Sequence, residues 1–291
     1  MVLTIKNQSL QVSVDTLGAQ MRSIRGADGR EYLWQGDSAY WDEQAPVLFP
    51  FIGRLQDAGY QLAGKTYSMG LHGFASRQEF AVTSRREDTL VLTLAATAET
   101  RESYPYDFIL EITYQLTGRT LSIQNRVKNR SGDTMHFALG GHPGFRVPLE
   151  EGAFEDCYLE FDPGCDPDRI LFTSDTVLVS GKTERFVLKD RKILPLRHDL
   201  FDGDAIILQN MSRRVSLKSG KSPRSITVDC PQMPYLGFWH WPKTDAPYVC
   251  IEPWSSLPGR SGVTEEISCR SDFVHLPAGE TYENTWTVTL L

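Results

Sequence analysis

No run of about 18 apolar residues occurs in this chain of 291 residues, so no segment reads as a membrane-crossing helix. Basic clusters are missing too. The net charge is −7 and the pI about 5.4, which argues against nucleic acid or another polyanion as partner. The first residues, Met-Val-Leu-Thr-Ile-Lys-Asn-Gln, lack the charged-then-apolar order of a signal peptide. The five cysteines (157, 165, 230, 250, 269) are an odd set with no C-x-x-C spacing. They are expected to be reduced thiols in a cytoplasmic protein. There is no P-loop, no GxGxxG after a strand, no G-x-S-x-G elbow and no H-x-H or H-E-x-x-H. No metal and no cofactor are expected. Nothing in the chain specifies an oligomeric state.

What the chain has is alternation of period two, the mark of half-buried strands. Leu110, Ile112, Tyr114 and Leu116 alternate with polar residues. Thr-Gly-Arg-Thr (117–120) turns the chain, with Gly118 supplying the turn conformation, and Leu121, Ile123, Asn125 and Val127 run back. The pattern recurs at 89–95, 185–189, 205–209, 225–230, 247–251 and 285–291. Helical segments are expected only for a turn or two, at 38–44 and 99–103. Residues 1–291 are expected to form one large antiparallel β-sandwich, since such folds run to about 200–250 residues as a unit.

Polar residues set in apolar or Gly/Pro-rich sequence are the candidates for chemistry, because an unpaired charge there is costly. His142 lies in Gly-Gly-His-Pro-Gly-Phe (140–145), and Glu252 in Val-Cys-Ile-Glu-Pro-Trp (249–254). An imidazole and a carboxyl brought together across a small polar substrate make an acid and a base, the pair needed to open and close a cyclic hemiacetal. Arg54 follows Phe-Pro-Phe-Ile-Gly (49–53), and His72 sits between Gly70 and Gly73. Arg54 reads either as a fork for substrate oxygens or as a buried partner of a core carboxylate such as Glu252. Asp202 and Asp204 open the apolar strand at 205–209. Leu236–Pro242 carries three aromatic rings and a histidine. It is either a core strand or, through Trp239, a platform for the C–H face of a pyranose. His136, His198 and His275 read as structural.

Taken together these motifs resemble the aldose 1-epimerase (galactose mutarotase) superfamily, in its LacX-like branch. The resemblance runs through Tyr-Leu-Trp-Gln-Gly (32–36), Tyr-Trp (40–41), Phe-Pro-Phe-Ile-Gly-Arg-Leu (49–55), Leu-His-Gly-Phe-Ala (71–75), Gly-His-Pro-Gly-Phe (141–145) and Cys-Ile-Glu-Pro-Trp (250–254). It implies a galactose-mutarotase-type β-sandwich with a sugar cleft on one sheet. It implies Glu252 as general base, protonated His142 as general acid, and Arg54, His72 and Asp204 as ligands of sugar oxygens. The implied substrate is an aldohexose whose α and β anomers are interconverted. A non-catalytic sugar binder and a hexose-6-phosphate mutarotase are the alternatives. One departure bears on the phosphate: the branch's His-Gly-Phe-Ala-Arg reads His-Gly-Phe-Ala-Ser here, with the arginine displaced to Arg77 and Arg260 as a possible substitute.

Overall fold

The hairpin around Gly118 lies within the larger of the two main sheets, beside which stand a three-stranded N-terminal sheet and two strand pairs. A computed structural model describes residues 1–291. Strands Phe108–Thr117 and Thr120–Asn129 pair antiparallel across the two-residue loop Gly118-Arg119. Leu110, Ile112, Tyr114 and Leu116 are all buried on one face. Each such aliphatic side chain removed from water contributes roughly 1.5–3 kcal/mol, which holds the register against a one-residue slip. Nine strands build this sheet, in the order Ile193–Pro195, Cys157–Phe161, Arg214–Ser219, Ile226–Asp229, Thr281–Leu290, Thr120–Asn129, Phe108–Thr117, Thr89–Ala95, Ala81–Arg85.

The second sheet has eight strands. Its order is Val179–Arg185, Asp168–Phe172, Ile206–Gln209, Tyr235–Trp239, Tyr248–Trp254, Gly140–Gly141, Val47–Leu48, with Gly144–Arg146 also pairing Tyr248–Trp254. The two sheets pack face to face: Phe161 meets Phe238 at 5.8 Å between ring centroids. One core cluster of 74 buried residues fills the space between and around them. Strand Tyr248–Trp254 is buried along its whole length. Val249 and Ile251 point into the core, while Tyr248 and Cys250 belong to a separate cluster with Trp34, Trp41 and Ala246 on the sheet's outer face. Glu252 shares that outer face by the alternation of the strand.

Two expectations for local structure fail. Residues 38–44 form no helix, because the Asp37 carboxylate captures the Ala39 N–H at 2.9 Å and the Asp37 carbonyl takes that of Tyr40. The apolar alternation at 185–189 is not a strand either. The strand runs over Val179–Arg185, and Phe186 then leaves the ladder to donate to the Pro167 carbonyl. The short helix does form at Ala98–Ser103, closed by a reciprocal Thr97–Thr100 capping box. All five cysteines are free thiols, and no helix is long and apolar enough to cross a membrane.

Candidate active site

Arg54, His72, His142, Asp204, Trp239 and Glu252 all line one cleft of about 250 Å³ on the outer face of the smaller sheet. Sequence positions spread over about two thirds of the chain converge there.

Glu252 and His142 are both anchored to strand Tyr248–Trp254. Gly140 pairs with Trp254 and Gly144 with Cys250, so His142 occupies the excursion between two points of the same ladder. The freed backbone groups find other partners: His142 N–H donates to the Pro46 carbonyl (3.1 Å) and Ile251 N–H to that of Pro143 (3.2 Å). A side chain at Gly141 would drive its Cβ to 2.8 Å from the Trp286 ring on the opposite sheet, which explains the small residue before the histidine. The result is His142 Nε2 at 3.3 Å from Glu252 Oε2, with Glu252 only 1% exposed. Trp41, Trp239 and His72 surround the imidazole at centroid distances of 4.9, 5.5 and 5.5 Å.

This apolar box sets the protonation. Burial raises the Glu252 pKa well above the usual carboxylate range; the charge of Asp204 adds to the rise and the Trp254 indole N–H opposes it. Burial lowers His142 to about 4. Both shifts favour the uncharged form, so the proton of the pair rests on the carboxyl. This corrects two expectations. His142 does not hold its proton in the free site, and Asp204, not Arg54, is the charge that acts on Glu252. Arg54 is exposed, and the group at ion-pair distance from Glu252 is His142, so the buried Arg54–Glu252 pair is absent.

His72 adopts φ +59° and is followed by Gly73 at φ +76°, where a Cβ would sit 2.2 Å from the Phe49 carbonyl oxygen. Its Nδ1 accepts the Gly53 N–H at 3.1 Å. The neutral ring therefore carries its hydrogen on Nε2, as a donor. Burial, then the proximity of His142, Arg54 and Arg77, keeps it neutral. Asp204 stands at φ +77° on the cleft wall. Asp202 does not line the cleft; its Oδ1 accepts the N–H of Lys243. Two polar cleft residues in the left-handed region are a local strain of the sort found at functional sites.

Four buried side-chain polar atoms in the protein make no hydrogen bond of regular geometry, and three of them are here: His142 Nδ1, Glu252 Oε2, which meets His142 Nε2 only as the 3.3 Å ion-pair contact, and Trp254 Nε1. Buried polar groups are nearly always paired, so this cluster stands out as unused hydrogen-bonding capacity facing the cleft. The His142 ring, Cys250 Sγ and the Glu252 carboxylate also place ligand-type atoms within 4.8 Å of one another. Burial, reinforced by Glu252, raises the Cys250 thiol well above its ordinary range.

Sequence reasoning did not single out Glu43, Leu71, Phe172 and Trp241 as cleft residues, nor Trp41 and Trp254 as more than motif members. The two tryptophans had a signal in their motifs. Glu43 had none, being one acid in the polar stretch Trp-Asp-Glu-Gln (41–44). Arg77 and Arg260 are absent from the cleft lining. Arg77 donates to the Gly73 carbonyl, and Arg260 Nε pairs with Glu265 at 2.6 Å. The other histidines form pairs outside the cleft, His136 with His275 and His198 with His240.

Fold and cleft together define a galactose-mutarotase-like β-sandwich protein. A sequence model of the aldose 1-epimerase family matches residues 1–287, and the chain belongs to that family. It is 36% identical over 267 residues to the chromosomally encoded protein LacX of Lactococcus lactis subsp. lactis, covering 88% of each chain. Among solved structures it is similar to a galactose mutarotase-like protein from Lactobacillus casei ATCC 334 (33% identity, TM-score 0.95, 100% of both chains). It is also similar to a galactose mutarotase related enzyme from Lactobacillus acidophilus (32% identity, TM-score 0.93, 100% of this chain and 97% of the other).

Proposed function

We propose that the protein is an aldose 1-epimerase that interconverts the α and β anomers of a neutral aldohexose. The observation that carries this reading is the buried, mutually facing His142–Glu252 pair, 3.3 Å apart, with no regular hydrogen bond to His142 Nδ1 or Glu252 Oε2. A protein that only binds sugar needs hydroxyl contacts but no such pair.

The pair holds one proton between two sites. In the free cleft it rests on Glu252. A bound sugar adds hydroxyl donors to the carboxylate and offers its ring oxygen to the imidazolium, which favours the proton on His142. Glu252 then takes the proton of the anomeric hydroxyl as His142 delivers one to the ring oxygen, and the C1–O5 bond opens. Rotation about C1–C2 exposes the other face of the aldehyde, and the reverse transfers close the ring. The Nε2–H of His72 and the guanidinium of Arg54 hold the oxygens of the open chain, and Asp204 accepts from a hydroxyl. Each positioned acid or base contributes about 10²–10⁴-fold.

The lining carries one cation, Arg54, against three carboxyl groups, Glu43, Asp204 and Glu252. With Arg77 and Arg260 engaged elsewhere, this balance favours a neutral sugar over a 6-phosphate. Polarimetry or NMR with freshly dissolved α-D-glucose, α-D-galactose and glucose 6-phosphate tests both points. The expected result is accelerated mutarotation of a neutral hexose with kcat/KM at least about tenfold above that of the phosphate. No acceleration with any aldose overturns the enzyme reading. A phosphate preference that disappears in Arg54→Ala overturns the charge assignment alone.

A further inference from the structure

The cleft continues outward past the catalytic pair. From His142 the aromatic rings step to Trp239 at 5.5 Å and then to Trp241 at 5.9 Å. Exposure rises along the way: His142 and Glu252 are buried, Trp239 is half-buried, and Trp241 is 44% exposed. Trp241 is the only aromatic among the exposed large hydrophobic side chains of the protein. Leu71, another of that group at 44% exposed, also lines the cleft, beside His72.

The exposed indole is not carried on a loose loop. The Trp241 N–H donates to Tyr248 Oη at 3.0 Å. Its carbonyl accepts from His240 Nδ1 at 2.8 Å and from Thr244 Oγ1 at 2.7 Å. His240 is fully buried, and its Nε2 lies 3.2 Å from His198 Nδ1. With Nδ1 donating to a carbonyl, His240 Nε2 is the acceptor and His198 the donor. The Lys243 N–H, two residues on, is held by Asp202. A large apolar side chain left in water on a backbone fixed at both its donor and its acceptor is preorganised for a ligand.

We propose that Trp241, on the cleft that Leu71 also lines, forms a second sugar subsite, so that the preferred substrate is the reducing end of an oligosaccharide. The inference rests on the aldose 1-epimerase reading of the inner site. One pyranose placed with its anomeric carbon at His142 and Glu252 stacks on Trp239. Ring partners meet at about 4.5–7 Å, so the next indole outward is one ring further along, in reach of a second pyranose. Its flat C–H face covers the indole while its hydroxyls stay in water.

The test compares mutarotation of glucose and cellobiose by wild type, Trp241→Ala, Trp241→Phe and Leu71→Ser. The expected result is a wild-type kcat/KM for cellobiose above that for glucose. The cellobiose-to-glucose ratio should fall at least tenfold in Trp241→Ala, through KM, and recover largely in Trp241→Phe. A ratio unchanged in Trp241→Ala, or equal losses for both sugars, overturns the subsite. So does a drop in sedimentation mass in Trp241→Ala without a change of ratio, which assigns the indole to a contact with a second copy. Calorimetric binding of methyl β-cellobioside and methyl β-glucoside, which cannot mutarotate, separates the two readings. If neither free sugar is turned over but the cellobioside binds tighter and Trp241→Ala removes the difference, the subsite stands and the enzyme reading falls.

Discussion

Two buried clusters of ionisable groups lie within this fold, and they are built in opposite ways. Around Arg270 every charge is answered. Its guanidinium meets Glu265 at 2.8 Å, Asp272 at 2.6 Å and the Leu257 carbonyl at 2.7 Å, and Asp272 in turn accepts from Ser256 and the Leu257 N–H. Arg270 and Glu265 are both 4% exposed. Around Glu252 the burial is as deep, yet polar atoms on Glu252, His142 and Trp254 make no hydrogen bond of regular geometry. The first cluster fixes the chain on either side of Pro258, which lines the cleft. The second leaves its hydrogen-bonding capacity unused. The contrast separates a cluster whose polar groups satisfy one another from one whose polar groups do not, and the second is where we propose the reaction takes place.

The sharpest way to break this contrast is to neutralise one carboxylate in each cluster. Glu252→Gln should lower mutarotation by about 10²–10⁴-fold while leaving the melting temperature equal or higher, because the amide has no charged form to desolvate. His142→Asn should be nearly as inactive, and the double variant little worse than either single, since residues acting as one unit are non-additive. Activity within a few-fold of wild type in Glu252→Gln would remove it as the base.

Glu265→Gln should do the reverse. Denaturant unfolding should show a loss of about 3 kcal/mol, the low end for a broken buried pair because Arg270 keeps Asp272. Turnover of the folded fraction should change little.

A smaller effect is expected in the pH dependence of stability. The folded pKa of His142 is depressed to about 4 from 6.5. Its contribution is therefore fully present above pH 6.5 and is lost as pH falls toward 4. Glu252 has a raised folded pKa, so its contribution is present below pH 4.5 and is lost as pH rises through that raised value. Urea titrations should show wild type losing stability relative to His142→Asn as pH falls from 6.5 to 4, and losing it relative to Glu252→Gln as pH rises above 4.5. Parallel curves would contradict the desolvated pair.

Exhaustive chelation should have no effect on activity. Loss on EDTA treatment with recovery on adding zinc would assign the His142–Cys250–Glu252 group to a metal.

Much of the contrast was legible before any coordinates. His142 and Glu252 announced themselves because a titratable residue between glycines, prolines and aliphatics has few structural reasons to be there. The hairpin at 108–129 followed from alternation alone. The protonation state did not, because it depends on Trp41, Trp239 and Asp204, residues distant in sequence from either partner. Trp241 and Leu71 were unreadable as a pair for a related reason: period and hydropathy mark a residue as apolar, while tertiary packing decides which apolar residue stays in water. The failed strand at 185–189 belongs here too. Its pattern was right for burial, since Leu188 is buried, but the partner strand ends at Asp168, opposite Arg185.

The anchoring of His142 and Glu252, the proposed acid and base, to one central strand has a kinetic consequence. Their separation is a backbone register, with Gly140 opposite Trp254 and Gly144 opposite Cys250, and not the product of two mobile loops. On heating, the acid and base should therefore stay in place until the sheet itself opens. Inactivation and loss of the amide protection of residues 249–252 should share one rate constant. Exchange at Leu71 and Trp241, on the cleft mouth, should run ahead of both.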